Sequence, residues 1–463
     1  MKRFIRLDCI ILLLSIYIAL GAGCRARREE TAAVPGIIAP ARGLITNFRP
    51  WRHYKEITVM ESAGLERKRE PVHIFMTFDA LKVTNLSKEV CVAEQVRRRR
   101  WREVPCQVYD ELLRPATVSA RIVFLTDMKP GGKKKFRIYW GNRNPPDRLY
   151  TAALVTYVSG PAMAVENAFY RVNINVPRLN EYGRQPIEQS GQIDEIVLKA
   201  EEPIVLSNPQ GNVHWTPDVC YPVTTGSGKV IPRWSHIWDW RMPPQMVSFT
   251  GALATGVLRR GNLPNFPNIE ATVSYIFYCG QPYFVMTSEI RVKRSVKVYA
   301  LRNNEMLFDS DLFTHLIWQE GDYVKEIGIE EPEKETEPLA ELPPDVPWLA
   351  FINKETGLVF AGFNLEYTNE RSGGPGVTAG QSTLVENKFY IYCHHGITYW
   401  SRGLVMGLHK PEPYTLLDVA GGSTYWEKVA YLAFVDKEGD VATKIKNYYE
   451  KLTHPLQIEF GPS

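Results

Sequence analysis

Between Asn212 and Trp240 the chain gathers side chains suited to holding a sugar. Asn212, His214, Trp215, Asp218, Tyr221, Arg233, Trp234, His236, Trp238, Asp239 and Trp240 all fall in this stretch. Indole and phenol faces stack on the apolar C–H side of a pyranose, while His, Asp, Asn and Arg bond to hydroxyls and carboxylates. His214 and His236 are the acid–base candidates here, with Trp215, Tyr221, Arg233 and Trp238 as substrate contacts. Tryptophans packed in a sandwich core under a Pro- and Gly-rich loop account for part of the same composition. They account less well for His214, Arg233 and His236 standing together.

A second group runs from Tyr392 to Arg402 and includes His394, His395, Tyr399 and Trp400. On a strand, alternate residues share a face, so His394 and His395 point oppositely unless a bulge intervenes. His395 and Tyr399 are the catalytic candidates of this group, and Arg402 is a substrate contact. A polysaccharide lyase needs such parts: a group that neutralises a uronate carboxylate, a base for the C5 proton and an acid for the leaving oxygen. Hydrolysis calls instead for a pair of carboxylates, and no pair stands out in the sequence. His214 and His236 with Asp218 or Asp239 fit no zinc or calcium spacing, so no metal site is assigned. No nucleophile elbow or phosphate-binding loop is present, and the sequence leaves the cofactor unknown. Arg302-Asn303-Asn304-Glu305 reads as a turn ending a strand.

The elements that must carry these residues are strands. From residue 55 to 155, period-two runs such as Val72–Phe78, Ser119–Leu125 and Lys135–Trp140 alternate with turn signals, which predicts a β-sandwich. Arg97-Arg98-Arg99-Arg100-Trp101-Arg102 falls at a hairpin tip, either as a solvated turn or as a contact for polyanionic glycan or lipid headgroups. Residues 156–455 remain strand-like, clearest over Ala271–Tyr278 and Tyr283–Val292, and require large stacked sheets. Within them 325–347 is acidic and carries five prolines, as an exposed loop would. A short helix is predicted over Asp440–Leu452, where Val441, Ile445, Tyr448, Tyr449 and Leu452 share a face. Residues 456–463 are left as a tail.

The bulk properties limit the function classes. At 463 residues and 44% hydrophobic content the chain is globular and too long for one ordinary core. Its net charge of +4 is nearly balanced, which argues against a dedicated nucleic-acid binder. Lys2, Arg3 and Arg6 precede the apolar run Cys9–Leu20, and Gly21-Ala22-Gly23 leads into Cys24. A basic start, a short apolar core and small residues describe a secretory signal over 1–23, too short to span a bilayer. The cysteine just after it resembles the lipobox of bacterial lipoproteins. That resemblance implies a lipid on Cys24, a tether over 24–54 and a place at the cell envelope, on the periplasmic or surface side. Beyond Cys24 five cysteines are widely spaced, and Cys91 with Cys106 is the locally available disulfide pair.

Several runs together resemble a known carbohydrate-active architecture. They are Val104–Val108, Ile122–Leu125, Pro130–Tyr139, Val165–Val172, Gly191–Lys199, Tyr275–Tyr278, Gly280–Tyr283 and Leu301–Glu305. Their order resembles the β-rich region of family 38 alpha-mannosidases, where a small sandwich precedes a galactose-mutarotase-like supersandwich. The catalytic α/β domain of those enzymes has no counterpart before Val72. The resemblance implies an all-β fold, an N-terminal β-sandwich followed by a large mutarotase-like β-supersandwich with a short C-terminal helix. It also implies a polysaccharide or oligosaccharide partner. A mutarotase-like mechanism would pair a His acid with a Glu base, and the spacing selects none of Glu270, Glu289, Glu366 or Glu386. The expectation is an exported lipoprotein acting on polysaccharide, as a lyase before a hydrolase. The alternative is a non-catalytic glycan-binding or surface-assembly protein.

Overall fold

A computed structural model describes residues 45–148, 150, 154–159, 162–174, 192–240, 245–332, 337–371, 387–408, 415–437 and 439–461. The signal 1–23, Cys24 and most of the tether lie outside the described residues. Strands dominate, as the period-two patterning requires, and four sheets stack as two sandwiches. A further five-stranded sheet, Val155–Ser159, Ala162–Glu166, Tyr170–Ile174, Ile193–Leu198 and Ile204–Leu206, packs on the larger one through Tyr170 against Phe277 and Phe284.

The first sandwich packs a five-stranded sheet on a three-stranded one. The larger sheet runs in the order Gln457–Phe460, His53–Met60, Lys133–Trp140, Cys91–Arg97 and Arg100–Val104. The smaller is Arg67–Asp79, Thr117–Met128 and Cys106–Leu113. Pro105, which cannot donate to a ladder, separates Arg100–Val104 from Cys106–Leu113 where the chain passes between the sheets. Alternating residues such as Ile57, Val59, Ile74, Ile122, Phe124, Phe136 and Ile138 fill the core. The stretch left as a tail thus contains an edge strand, paired through Ile57–Phe460 to Met60–Gln457. Cys91 and Cys106 are buried free thiols, not a disulfide, and Cys220, Cys279 and Cys393 are likewise free.

The second sandwich stacks a nine-stranded sheet against a six-stranded one. The long strands Phe266–Tyr278, Tyr283–Val292, Ser423–Val435 and Leu358–Arg371 form the middle of the larger sheet. The smaller sheet runs Val230–His236, Asp218–Thr224, Ala300–Asp309, Ile397–Met406, Phe389–His394 and Ala340–Leu342. Their facing sides meet in an aromatic layer. Trp400 packs on Phe351 and Phe360, and Phe308 packs on Phe360 at 4.5 Å. Gly362 is required there, because a Cβ at that position would stand 2.9 Å from the Trp400 ring. The segment expected as a loop over 325–347 carries strand at both ends, Tyr323–Gly328 and Ala340–Leu342. The predicted helix forms over Val441–Thr453, capped by the Asp440 carboxylate on the Thr443 amide, with Ile445 buried.

Polar side chains lock the two sandwiches together. Gln107 donates to the Ala254 carbonyl and accepts from the Leu253 and Ala254 amides. Arg67 reaches the Lys451 carbonyl at the end of the helix. His73 lies between the hydroxyls of Tyr109 (2.8 Å) and Tyr278 (3.0 Å). Burial, helped by the charges of Arg121 and Lys428, pushes the His73 pKa down to about 4.

His73 therefore stays neutral in the fold and ionises near its ordinary value of 6.5 only in the unfolded chain. Unfolding takes up a proton at His73 as pH falls, so the His73 contribution to stability is lost from about pH 6.5 down to about 4 and changes no further below that. The loss is on the order of 3 kcal/mol by the usual value of a pK unit. Urea unfolding at pH 7 and pH 4 checks it, with His73→Gln expected to flatten the dependence.

Candidate functional site

The two faces of the six-stranded sheet differ in kind. Inward-facing residues such as Val219, Leu301, Met306, Phe308 and Trp400 join the main core. The outer face carries a separate cluster with Cys220, Leu307, Tyr390, Tyr392, Tyr399 and Met406, against which Trp215 and Trp234 pack. A buried ionic network is set into this outer face.

Arg302 is its centre. Its guanidinium binds Asp218 in a fork, Nε to Oδ1 at 3.1 Å and Nη2 to Oδ2 at 2.5 Å. Its remaining nitrogen, Nη1, meets Glu305 Oε2 at 2.6 Å. Asp218 also holds His236 through Nδ1 at 3.0 Å. The Trp234 ring lies over the guanidinium at 3.9 Å and stacks on His236, with Trp215 edge-on to the same imidazole. Tyr399 stands beside Arg302, stacks on Tyr392 at 4.8 Å and shares a 3.0 Å hydrogen bond with His394 Nε2.

A local distortion makes this possible. In a regular strand Arg302 and Glu305, three apart, would face opposite sides. The register shifts between Asn303 and Met306, and Asn304 adopts a left-handed backbone at φ +47°. Asn303 and Asn304 both turn inward, to Ser288 and to Tyr431. Arg302 and Glu305 are thereby brought to the same outer side. The Glu305 amide donates to Thr216 Oγ1 at 2.9 Å, which anchors the bulge.

The electrostatics follow from burial and the central cation. Burial alone would raise the Asp218 pKa, but the Arg302 charge and the bond to His236 hold it below the ordinary carboxylate value. For Glu305 burial wins over Arg302, with the Asp218 charge adding to it, and the pKa is raised. Burial likewise raises that of Tyr399 against the Arg302 charge. At the centre one cation faces a carboxylate and a carboxyl that resists ionisation. His236 and Tyr399, each 8% exposed, lie nearer the surface than the wholly buried Asp218 and Glu305.

Of the residues chosen from sequence, His236, Tyr399 and Trp215 come together here. His214 does not. It turns into the core, where Nδ1 meets the Tyr275 hydroxyl at 2.5 Å, and burial pushes its pKa down to about 3. Tyr221 and Arg233 are cross-strand partners on the other face, Tyr221 packing on Phe266 and Arg233 exposed. Arg402 also faces inward, bonded to Glu427 at 2.9 Å and to the carbonyls of Pro344 and Asn387. His395 sits on the exposed two-residue turn between Phe389–His394 and Ile397–Met406, at φ +53°, and its neighbour His394 reaches Tyr399 instead. The Trp238 side chain and Glu386 lie outside the described residues. The sequence reading missed Arg302 and Glu305 as a pair, because their motif resembles a turn and lies mid-strand around a bulge. The asparagine pair between opposite charges was the available signal. Among the described residues, no group of three or more His, Cys, Asp or Glu is arranged to hold a metal ion.

The fold defines an all-β protein in which a small sandwich is followed by a large sandwich of several stacked sheets around one core. Solved structures share it. A protein in the glycosyl hydrolase family 38 from Enterococcus faecalis aligns with a TM-score of 0.51 at 11% identity, over 88% of this chain and 47% of that one. An alpha-mannosidase from Enterococcus faecalis V583 aligns with a TM-score of 0.50 at 10% identity, over 88% of this chain and 46% of that one. The chain thus spans under half the length of each. No protein-family model and no curated protein matches the sequence.

Asp218→Asn leaves the buried Arg302 short of a counter-charge and is expected to cost about 3–5 kcal/mol of unfolding free energy. Glu305→Gln, which leaves the Asp218 fork intact, is expected to cost less below neutral pH. Urea unfolding of the two variants at pH 6 measures the difference.

Proposed function

We propose that this protein binds a carbohydrate at the outer face of its six-stranded sheet. The observation that carries the reading is the pairing of half-buried indoles with a fixed polar set. Trp215 and Trp234 flank His236, Arg302 and Tyr399, which gives stacking surface and directed hydrogen bonds in one place. The glycosyl hydrolase and alpha-mannosidase names of the two structures that share the fold support the same substrate class. Binding without cleavage accords with the chemistry of the two carboxyl groups. Both are buried and both are bound to Arg302, so neither is poised to meet a glycosidic oxygen.

A polysaccharide lyase is the second reading, and one observation favours it. Tyr399 and His394 share a 3.0 Å hydrogen bond next to Arg302, which sets a hydroxyl acid, an imidazole base and a cation side by side.

A panel of uronate-bearing and neutral oligosaccharides, titrated calorimetrically, tests both. Binding that falls at least about tenfold in Trp234→Ala, the loss expected for a central aromatic anchor, and is unchanged in Arg233→Ala supports the first reading. No binding anywhere on the panel, or equal loss in both variants, rejects it. Unsaturated-uronate absorbance that rises with time and vanishes in Tyr399→Phe would turn the binding site into a lyase.

We further propose that the protein is exported and tethered through a lipid on Cys24, at the bacterial cell envelope. The basic start, the apolar core and the small residues before Cys24 support this. Among the described residues, no helix is long and apolar enough to cross a membrane. Metabolic labelling with a fatty-acid analogue is expected to mark the protein and to fail in Cys24→Ser.

A further inference from the structure

The first sandwich carries a second recessed surface, separate from the six-stranded sheet. A cleft of about 820 Å³ lies beside the hairpin Cys91–Arg97 and Arg100–Val104. That volume falls within the roughly 300–1,000 Å³ of small-ligand sites. Six arginines line it: Arg49, Arg97, Arg99, Arg100, Arg102 and Arg137. Arg137 is bound by Glu56 at 3.2 Å. Among the described residues, no carboxylate forms an ion pair with any of the other five. Such a concentration of like charge is unfavourable in the free protein and is relieved by an anion.

The cleft is built rather than a loose collection of surface side chains. Arg137 is held between the rings of Tyr54 and Trp101, at 4.2 Å from each centroid. Phe48 stacks on Tyr139 at 4.7 Å with the planes 10° apart. The incoming segment is pinned by Ile45, whose amide donates to the buried Glu103 carboxylate at 2.9 Å and whose carbonyl accepts from the Glu103 amide at 3.0 Å. Trp51 anchors the other end of that segment through its indole N–H on the Glu89 carbonyl at 2.7 Å. At the hairpin tip, Arg99 occupies a left-handed turn position at φ +65°, where Gly or Asn is the residue of least strain. A bulky cation in that place puts charge where the backbone does not favour a long side chain.

We infer that this cleft binds an anionic saccharide, a sulfate- or uronate-bearing oligosaccharide, independently of the site on the six-stranded sheet. Guanidinium planes give paired hydrogen bonds to sulfate or carboxylate oxygens. The exposed Tyr54 and the half-buried Trp101 and Phe48 give apolar faces to the sugar rings between those charges. A bilayer surface is the weaker fit, because it draws basic residues by charge alone and has no use for the rings of Tyr54, Trp101 and Phe48 that stand among the arginines.

The test titrates the full chain with a heparin hexasaccharide, a galacturonate hexamer, maltohexaose and phosphatidylglycerol vesicles. At least one anionic hexasaccharide is expected to bind, weakening steeply with added salt, while maltohexaose leaves this cleft empty. Affinity is expected to fall about tenfold or more in the double variant Arg97→Ser/Arg100→Ser, whose positions are exposed, with an unchanged melting temperature. Trp101→Ala is expected to weaken the same ligand, and Trp234→Ala on the distant sheet to leave it unaffected. Unchanged affinity in the double variant overturns the inference. So does a loss confined to the arginine variant with Trp101→Ala binding normally, since charge without the cleft then suffices. Arginine-dependent capture by the vesicles with neither anionic hexasaccharide bound assigns the surface to lipid and also overturns it. A Trp234→Ala loss of the anionic ligand would merge the two sites and refute their independence.

Discussion

Arg302 lies almost out of water, and a cation there persists only because Asp218 and Glu305 reach it from two places in the chain. Everything around it follows from that requirement. Asp218 has to occupy the first position of its strand, opposite both Arg302 and His236 in register. Glu305 has to cross to the side its spacing from Arg302 forbids, and the bulge at Asn303 and Asn304 takes it there. The indole of Trp234 then closes over the guanidinium, and the hydroxyl of Tyr399 fills the space beside it. An arrangement of this kind gains little net free energy over an apolar core. What it fixes is geometry, since Arg302, Asp218 and His236 make their shared bonds in a single arrangement.

The same sheet shows how one ladder serves two environments. Tyr399 and Trp400 are adjacent, yet one belongs to the polar outer face and the other to the densest part of the aromatic core. A shift of one residue in pairing would exchange them and place a phenol, an imidazole and an ion network where Phe351 and Phe360 now pack. The register is therefore held from both sides, by packing within and by charge without. Arg402 adds a third hold. It bonds inward to Glu427 and ties down the Pro344 and Asn387 carbonyls.

The fold was legible in the sequence wherever burial obeys a simple period. Strands such as Ala271–Tyr278 and Tyr283–Val292, the strands of the smaller sandwich and the Val441–Thr453 helix all announce themselves by alternation or by one apolar face. The candidate site was legible in part. His236, Tyr399 and Trp215 were named because their chemistry suits a sugar. His214 was named for the same reason, although its neighbour in space, Tyr275, lies sixty-one residues away and draws it into the core. Arg233 and Tyr221 were misplaced because composition says nothing about which face a residue takes. Arg302 and Glu305 were passed over because a bulge breaks the alternation that sequence reasoning relies on, and the partner that makes them a pair, Asp218, is remote in the chain. Long-range pairing likewise hid the strand Gln457–Phe460, which has only four residues and an ordinary composition.

That short strand has a consequence for how the molecule is made. His53–Met60 is flanked by Lys133–Trp140 on one side and by Gln457–Phe460 on the other. As the chain emerges from its N-terminal end, the first sandwich can collapse early, but one edge of its larger sheet stays open until Gln457–Phe460, far along the chain, arrives. An open edge is a template for pairing with a second chain, and contacts between distant parts of a sequence form slowly. Biogenesis is therefore a race in which Gln457–Phe460 must reach His53–Met60 before a neighbouring chain does. The two sandwiches, stitched by Gln107, Arg67 and His73, mature as one unit that is sealed only when Gln457–Phe460 docks.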